Sequence, residues 1–348
     1  MPTLPGARLA GLRVGKEEAS SWLWQTTGPG SATTLIELHE EAPFRLDLTV
    51  WALRRRGHNQ VDQYDGTWYR RLLAVGGAAV GVAVRQLGPQ LEIVAQGEPQ
   101  ALSLETLRLV GVTLVDVLGL GQELSGFYRA RKEPWLEELA RRFRGMRPPR
   151  FPSVFEAAAN AVVCQQVSLV VGIHLLNRLA ARFGTRLPRA TEGWGPGAPE
   201  MGGIAGADWQ SLRELGLSGS KSRALVAIAQ ALSRADFASE ALMAMPDQQV
   251  EDRLRSLPGI GRWSAQYVML RGLGRWSILP GDDVGAQNAL RRRFQLPGRP
   301  GYEEVQELAQ AWRPYAGLVY FHLLLAGLEM GDSGRLRREE IGSGVAPH

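Results

Sequence analysis

Cysteine is nearly absent from this chain: Cys164 is the only one among 348 residues. A disulfide within the chain is therefore excluded, and so are zinc and iron–sulfur sites built on several thiolates. No apolar run approaches the roughly 20 residues that a membrane span needs. We therefore expect neither a catalytic metal nor a membrane anchor, and the histidines are too scattered to change this: His39, His58, His174, His322 and His348.

The N-terminus also lacks a basic start followed by an apolar core, so no secretory signal is expected and a cytoplasmic or nucleoid location is favoured. The net charge of +5 is mild. Basic residues are nevertheless clustered at 129–132, 141–150 and 291–293. One such run is usually a solvated surface, but three favour a polyanionic partner. Since no heptad pattern is present, we expect a monomer.

Alternating and helical patterns divide the chain. Residues 1–32 are predicted to be a flexible lead-in. Residues 33–125 are predicted to form a mixed α/β domain with an antiparallel sheet, because five segments bounded by turn residues favour strands and a helical segment follows them. The predicted strands are TTLIELHE, FRLDLTVWAL, YDGTWYRRLLAV, AAVGVAVRQL and QLEIVAQG.

Residues 126–330 are predicted to be entirely helical, and residues 331–348 a polar tail. One long helix is expected from Ser153, which has Glu156 in capping-box spacing, to Gly184. Asp247 is expected to be the N-cap of a later helix, and Pro314 to lie at the entry of the last one. The predicted fold class is α+β, mainly helical, with a smaller sheet domain first.

A glycine-rich hairpin, LPGIGRW, occupies residues 257–261 and the start of the next helix. Gly259 and Gly261 permit backbone conformations that other residues avoid. Arg262 then begins a helix whose first N–H groups are left free to bind a phosphate. The alternative is a tight turn in which the glycines serve close packing only.

The segment LPGIGRWSAQYVML, followed by LPGDDVGAQNALRRRF, resembles the helix-hairpin-helix (HhH-GPD) superfamily of DNA glycosylases. Further segments of residues 151–330 resemble its DNA-3-methyladenine glycosylase II (AlkA-type) branch. Residues 33–125 fit the sheet domain of that family by general pattern. The resemblance implies a DNA N-glycosylase that flips a damaged base out of double-stranded DNA.

The resemblance implies that Asp283 is the catalytic carboxylate, and Asp282 then suits the N-cap of the following helix. A carboxylate beside the sugar stabilises the positive charge that develops as the base departs. The alternative makes both aspartates helix caps.

Position 263 bears on the reaction type. Members of the superfamily that also cleave the strand carry a lysine there, whereas this chain has Trp263. We therefore expect a monofunctional enzyme without lyase activity. Trp263 and Tyr267 are four residues apart on one helix face and are expected to line the base pocket, although core packing is the alternative.

Other site residues are also implied by the resemblance. Gln166, with Gln165 beside it, is expected to fill the gap left by the flipped base, unless both simply face solvent. Relatives often carry aromatic residues at two positions occupied here by Val284 and Leu324, which puts the range of lesions in doubt; Tyr320 or Phe321 could compensate. No cofactor is expected to be required, but a structural monovalent cation could bind the backbone carbonyls of Arg255, Leu257 and Ile260.

The leading hypothesis is a glycosylase that removes alkylated bases of the 3-methyladenine and 7-methylguanine class and thereby initiates base-excision repair. One alternative is a non-catalytic DNA-binding protein that retains the hairpin. Another is a glycosylase for deaminated or oxidised bases.

Overall fold

A computed structural model describes residues 16–38, 43–130, 132–187 and 193–342. Residues 1–15 of the expected lead-in and residues 343–348 of the expected tail lie outside these ranges. Among the described residues, no helix combines the length and the apolar character that crossing a membrane would require. The predicted α+β class is confirmed, since an antiparallel sheet precedes a large helical region.

The sheet has six antiparallel strands in the spatial order β1-β2-β6-β5-β4-β3. The turn before β2 needs Gly30, whose φ is +71° and where a Cβ would collide with the carbonyl oxygen of Gly97. The first strand, β1 at Gln25–Gly28, lies inside residues 1–32, which were expected to be a flexible lead-in. The strands are β1 (Gln25–Gly28), β2 (Ser31–Glu37), β3 (Gln63–Tyr64), β4 (Tyr69–Val75), β5 (Ala78–Leu87) and β6 (Gln90–Gln96).

Sixteen helices are present in the described part of the chain, with short 3₁₀ turns at Pro99–Ala101 and Ala235–Phe237. They are α1 (Lys16–Ala19), α2 (Leu46–Arg54), α3 (Leu104–Val117), α4 (Ser125–Arg129), α5 (Pro134–Arg142), α6 (Val154–Cys164), α7 (Leu169–Phe183), α8 (Met201–Ala205), α9 (Trp209–Glu214), α10 (Gly219–Leu232), α11 (Ser239–Ala244), α12 (Asp247–Arg255), α13 (Arg262–Arg271), α14 (Val284–Arg293), α15 (Tyr302–Gln310) and α16 (Ala316–Gly342).

The segment FRLDLTVWAL was predicted to be a strand, and that prediction is wrong, because most of it forms α2. The helix is buried on two sides. Leu46, Val50 and Leu53 belong to the core shared with the sheet, whereas Leu48 and Ala52 belong to a second core among α4, α5, α14 and α16. An apolar run buried on both sides carries no clear helical period, so its type cannot be read from the pattern.

The long helix expected from Ser153 to Gly184 is interrupted. It divides into α6 and α7 because Gln166 adopts a left-handed φ of +53° and Ser168 caps the new helix. The Ser153 hydroxyl accepts a hydrogen bond from the Glu156 N–H, as predicted, at 3.1 Å. The Glu156 carboxylate, however, turns to Arg71 instead of closing a capping box.

Two helix ends also differ from expectation. Asp247 is the first residue of α12 rather than its N-cap, and its carboxylate accepts a hydrogen bond from Arg275 at 2.7 Å. The backbone of α16 continues to Gly342, so part of the expected polar tail is helical. Pro314 lies just before that helix, two positions ahead of its first residue, Ala316, rather than inside its first turn.

The sheet and the helices are joined by a buried ion-pair cluster. The Arg71 guanidinium on β4 contacts Asp62 at 2.7 Å and Glu156 on α6 at 2.5 Å, and all three side chains are at most 7% exposed. The Tyr69 hydroxyl donates a further hydrogen bond to Asp62 at 2.8 Å. Removing one member of such a cluster leaves a buried charge without its partner.

We predict that Arg71→Met lowers the free energy of unfolding by about 3–5 kcal/mol, because Asp62 and Glu156 would be left buried and unpaired. The neighbouring Arg70, paired with Asp65 at the surface, is the matched control. Arg70→Met should change stability by no more than about 1 kcal/mol. Urea denaturation of both variants measures the difference, and equal losses would contradict this account.

Candidate functional site

The hairpin between α12 and α13 presents two glycines in different roles. Gly259 has φ +78°, and a Cβ there would lie 2.7 Å from the Cβ of Ala224 on α10. Gly261 is extended, and a Cβ there would meet nothing within 4 Å. Gly259 therefore serves close packing, whereas Gly261 leaves the start of α13 open. No side chain caps α13, so its first N–H groups remain available to an anion.

The turn between α6 and α7 is attached to this hairpin through Gln165. Its Nε2 donates to the Gly259 carbonyl at 2.9 Å and to the Ser264 hydroxyl at 2.7 Å. Gln166 lies next in the turn and is exposed. The Lys221 ammonium supports the same turn by donating to the carbonyls of Val163 and Gln165 at 2.9 and 2.6 Å. Gln165 thus holds the turn in place, and Gln166 projects from it.

Asp283 lies at the end of the loop that precedes α14 and is half-buried. Its Oδ1 accepts the Ala286 N–H at 2.8 Å, which makes it the N-cap of α14. Its Oδ2 accepts the indole N–H of Trp263 at 3.1 Å and the Tyr320 hydroxyl at 3.3 Å. Burial raises the pKa of this carboxyl, although these hydrogen bonds act in the opposite direction.

The expectation that Asp282 would cap α14 is wrong, because Asp283 occupies the cap position. Asp282 instead pairs with Arg262, with Nε–Oδ2 at 2.8 Å and Nη2–Oδ1 at 3.2 Å. The same guanidinium lies 3.5 Å from the ring centroid of Tyr302. These contacts direct the Arg262 side chain toward the Asp282 loop, whereas its backbone N–H stays at the start of α13.

Two aromatic residues, Trp263 and Tyr320, donate hydrogen bonds to Asp283, and a third, Tyr267, packs on Trp263. The rings of Trp263 and Tyr267 lie 5.4 Å apart at an interplanar angle of 33°. Trp263 is half-buried, whereas Tyr267 and Tyr320 are each 4% exposed. Trp263 therefore forms the accessible wall, with Tyr267 behind it. Tyr320, one of the two residues that could compensate for Val284 and Leu324, contacts the Asp283 carboxylate.

Val284 and Leu324, which stand where relatives often carry aromatic residues, lie in different surroundings. The side chain of Val284 is 53% exposed at the start of α14. Leu324 is partly buried against the second core. The aromatic surface around Asp283 is consequently concentrated on α13 and α16.

The sequence did not reveal two buried arginines behind Tyr267. Arg55, at the end of α2, donates to the Tyr267 hydroxyl at 3.2 Å. Arg271, at the end of α13, donates to the carbonyl of Ala52 at 3.2 Å. Each of these arginines contacts a residue that is far away in the sequence, so no local sequence signal marks them.

The carbonyl groups expected to hold a cation line the same hairpin. The Leu257 carbonyl accepts the Ile260 N–H at 3.2 Å. The carbonyls of Arg255 and Ile260 accept no backbone hydrogen bond among the described turns and loops. Neutral oxygens of this kind suit a hard monovalent cation. In the part of the chain that the structure describes, no cluster of three or more His, Cys, Asp or Glu side chains could hold a metal.

Residues 159–314 match the family of HhH-GPD superfamily base excision DNA repair proteins. Two relatives are the DNA-3-methyladenine glycosylase of Bacillus subtilis, 28% identical over 59% of this chain, and DNA-3-methyladenine glycosylase 2 of Escherichia coli, 29% identical over 51%. The matches cover 67% and 60% of the length of those relatives.

Solved structures share the same architecture. The 3-methyladenine DNA-glycosylase of Archaeoglobus fulgidus has a TM-score of 0.71 and 27% identity, covering 84% of this chain and 98% of that one. An 8-oxoguanine glycosylase/lyase of Clostridium acetobutylicum, bound to DNA, has a TM-score of 0.67 but only 12% identity, so its likeness concerns the fold alone. The resemblance found from the sequence is confirmed by these comparisons.

Proposed function

We propose that this chain is a monofunctional DNA N-glycosylase of the HhH-GPD superfamily of base excision DNA repair proteins and that it excises alkylated bases. The observation that carries the proposal is the position of Asp283. Its carboxylate lies at the end of the loop that follows the hairpin and its helix, against the accessible ring of Trp263. The named activity of the relatives supports alkylated bases as the substrate class.

In the proposed reaction, the bond between base and sugar breaks while positive charge develops on the sugar. The departing base keeps the electron pair of the broken bond, and Asp283 stabilises the charge left on the sugar. Water then adds to the sugar carbon and transfers a proton to the Asp283 carboxylate, which releases it to solvent. Oδ1 is committed to the α14 cap, so Oδ2 is the oxygen proposed to face the sugar. An alkylated purine needs little further help, because it departs from an already cationic state. The reaction requires no cofactor.

The flipped base is proposed to stack on Trp263, with Tyr267 supporting that ring from behind. Gln166 is proposed to enter the gap in the duplex, since it is the exposed member of the pair. Gln165 then acts indirectly, by holding the turn against Gly259 and Ser264.

The hairpin is proposed to bind a backbone phosphate of duplex DNA through the free N–H groups at the start of α13. A monovalent cation held by the carbonyls of Arg255, Leu257 and Ile260 would add positive charge there. The chemistry of these neutral oxygens fits such an ion. Binding of this kind does not read sequence, as a repair enzyme that searches for damage requires.

We expect wild-type protein to release methylated purines from alkylated duplex DNA, and Asp283→Asn to slow release by about 100-fold or more, because the developing charge loses its carboxylate. Asparagine is as good an N-cap, so the fold should persist. Asp282→Asn, which removes only the partner of Arg262, is the matched control and should retain most activity. Base release and binding to an abasic-site duplex are measured for all three proteins.

The other functions give different results in that assay. Salt-sensitive duplex binding without release of any base would identify a non-catalytic DNA-binding protein. Release from duplexes carrying deaminated or oxidised bases, but none from alkylated duplexes, would change the substrate class. Equal release by wild type and Asp283→Asn would show that the carboxylate has been misassigned.

We expect no strand cleavage and no covalent complex on borohydride reduction, because a lyase needs an amine to form a Schiff base. The chain has three lysines. Lys16 pairs with Asp116, Lys132 donates to the Ala130 carbonyl, and Lys221 donates to carbonyls of the α6–α7 turn. A protein–DNA adduct trapped by borohydride would contradict the monofunctional assignment.

The hairpin is tested by Gly261→Ala, since the added methyl group has open space around it in the protein. Stability should therefore change little, but the methyl would stand where a phosphate approaches and weaken duplex affinity by about tenfold, the loss of one charge-assisted hydrogen bond. Gly327→Ala on α16, where a Cβ also meets nothing within 4 Å, is the control. Equal affinities for both variants would argue against the hairpin as a phosphate site.

A further inference from the structure

The part of the chain that contains the sheet, α2 and α3 (residues 25–117, here the sheet-bearing part) contributes one side chain, that of Arg55, to the contacts of Tyr267. Arg55 directly follows α2 as its C-cap, has a left-handed φ of +59° and is 5% exposed. Its Nη1 donates to the Tyr267 hydroxyl at 3.2 Å, and its Nη2 donates to Oδ1 of Asn160 on α6. A residue at the end of α2 thus contacts the second aromatic residue of the site.

A reciprocal contact runs from α13 back to α2. Arg271 is fully buried, and its Nη1 donates to the carbonyl of Ala52 at 3.2 Å. Its guanidinium carbon lies 5.8 Å from the Tyr267 ring centroid and 4.8 Å from that of Phe151. We call the four residues Arg55, Ala52, Tyr267 and Arg271 the α2–α13 clasp.

The clasp contains two buried guanidinium groups, those of Arg55 and Arg271, that have no carboxylate beside them in the described part of the chain. Neither Arg55 nor Arg271 forms an ion pair with any residue that the structure describes, in contrast to Arg71 with its two carboxylates. Burial lowers the pKa of Arg271, as expected of a desolvated cation. Burying guanidinium groups without carboxylates is unfavourable, and departures of this kind concentrate at functional sites.

The helical period connects the clasp to Asp283. Residues 263, 267 and 271 recur every four positions along one face of α13. At one end of this stripe Trp263 donates to Asp283, and at the other Arg271 is anchored to α2. Tyr267, the middle member, packs on Trp263 and is fixed by Arg55. A shift of Tyr267 would therefore move the indole that contacts the carboxylate.

We propose that Arg55 is a positioning residue for base excision: through the Tyr267 hydroxyl it fixes the ring of Trp263 against Asp283, so that the sheet-bearing part of the chain completes the site. The inference rests on the proposed function for its kinetic test, but it also has a test that needs no activity.

The kinetic test is a double-mutant cycle on the single-turnover rate of methylated-purine release. Arg55→Met and Tyr267→Phe should each slow release by about tenfold, since small misplacements of a catalytic constellation have effects of this size or larger. If Arg55 acts through the hydroxyl, the double variant should be no slower than the slower single variant. Arg55→Lys should recover part of the rate. Effects that multiply in the double variant would overturn the proposal.

Arg150→Met is the matched control, measured at a temperature where every variant is folded. Arg150 is also an arginine between chain segments, with Nη1 on Asp116 at 2.9 Å and Nη2 on the Gly272 carbonyl at 2.8 Å, but it does not touch Tyr267. Its loss should lower thermal stability and leave the release rate within about twofold of wild type. A slowing equal to that of Arg55→Met would show a general effect of weakened packing, against the proposal.

The second readout is the indole ¹H–¹⁵N resonance of Trp263, identified by its loss in Trp263→Phe. Arg55→Met should shift this resonance, and Arg150→Met should leave it in place. A shift in a protein that releases no base would support the positioning role while the proposed function fails. An unchanged resonance in Arg55→Met would overturn the inference whatever the activity.

Discussion

The two oxygens of the Asp283 carboxylate have different hydrogen-bond partners, and the rest of the site is arranged around them. Oδ1 caps α14, which fixes the carboxylate at a helix N-terminus whose dipole favours the ionised form. Oδ2 accepts hydrogen bonds from Trp263 on α13 and from Tyr320 on α16. Its surroundings therefore depend on how both of these helices pack against α14. The fold thereby determines where the carboxylate points, and burial sharpens its electrostatic effect. The hairpin, as the start of α13, inherits its position from the same contacts.

Charge is buried in two ways where the sheet meets the helices. Arg71 is neutralised by Asp62 and Glu156, and its ion pair with Glu156 on α6 joins the two parts of the chain. Arg55 and Arg271 have a phenol, an amide and a backbone carbonyl instead. The first cluster adds an ion pair to the apolar core that the sheet and the helices share. The second is the set of contacts through which the sheet-bearing part is proposed to position Tyr267.

The sequence identifies what local rules encode and misses what distant partners decide. The hairpin and the strands bounded by turn glycines could be located from spacing alone. Residues 44–53 could not, because burial on both sides removes the periodic signal that separates helix from strand. The break between α6 and α7 at Gln166 could not be predicted, because no glycine marks it in the sequence. The N-cap of α14 could not be assigned either, because the adjacent Asp282 and Asp283 are equally good cap residues. Arg55 could not be found at all, since its partner Tyr267 is 212 positions away.

Asp283 is proposed to stabilise positive charge on the sugar. The most direct measurement compares binding of two uncleavable duplexes, one with a protonated pyrrolidine in place of the sugar and one with a neutral tetrahydrofuran. Transition-state complementarity predicts tighter binding of the cationic duplex by about 100-fold or more, with the preference lost in Asp283→Asn. Equal affinities for the two duplexes in the wild-type protein, or a preference that survives in Asp283→Asn, would contradict the account.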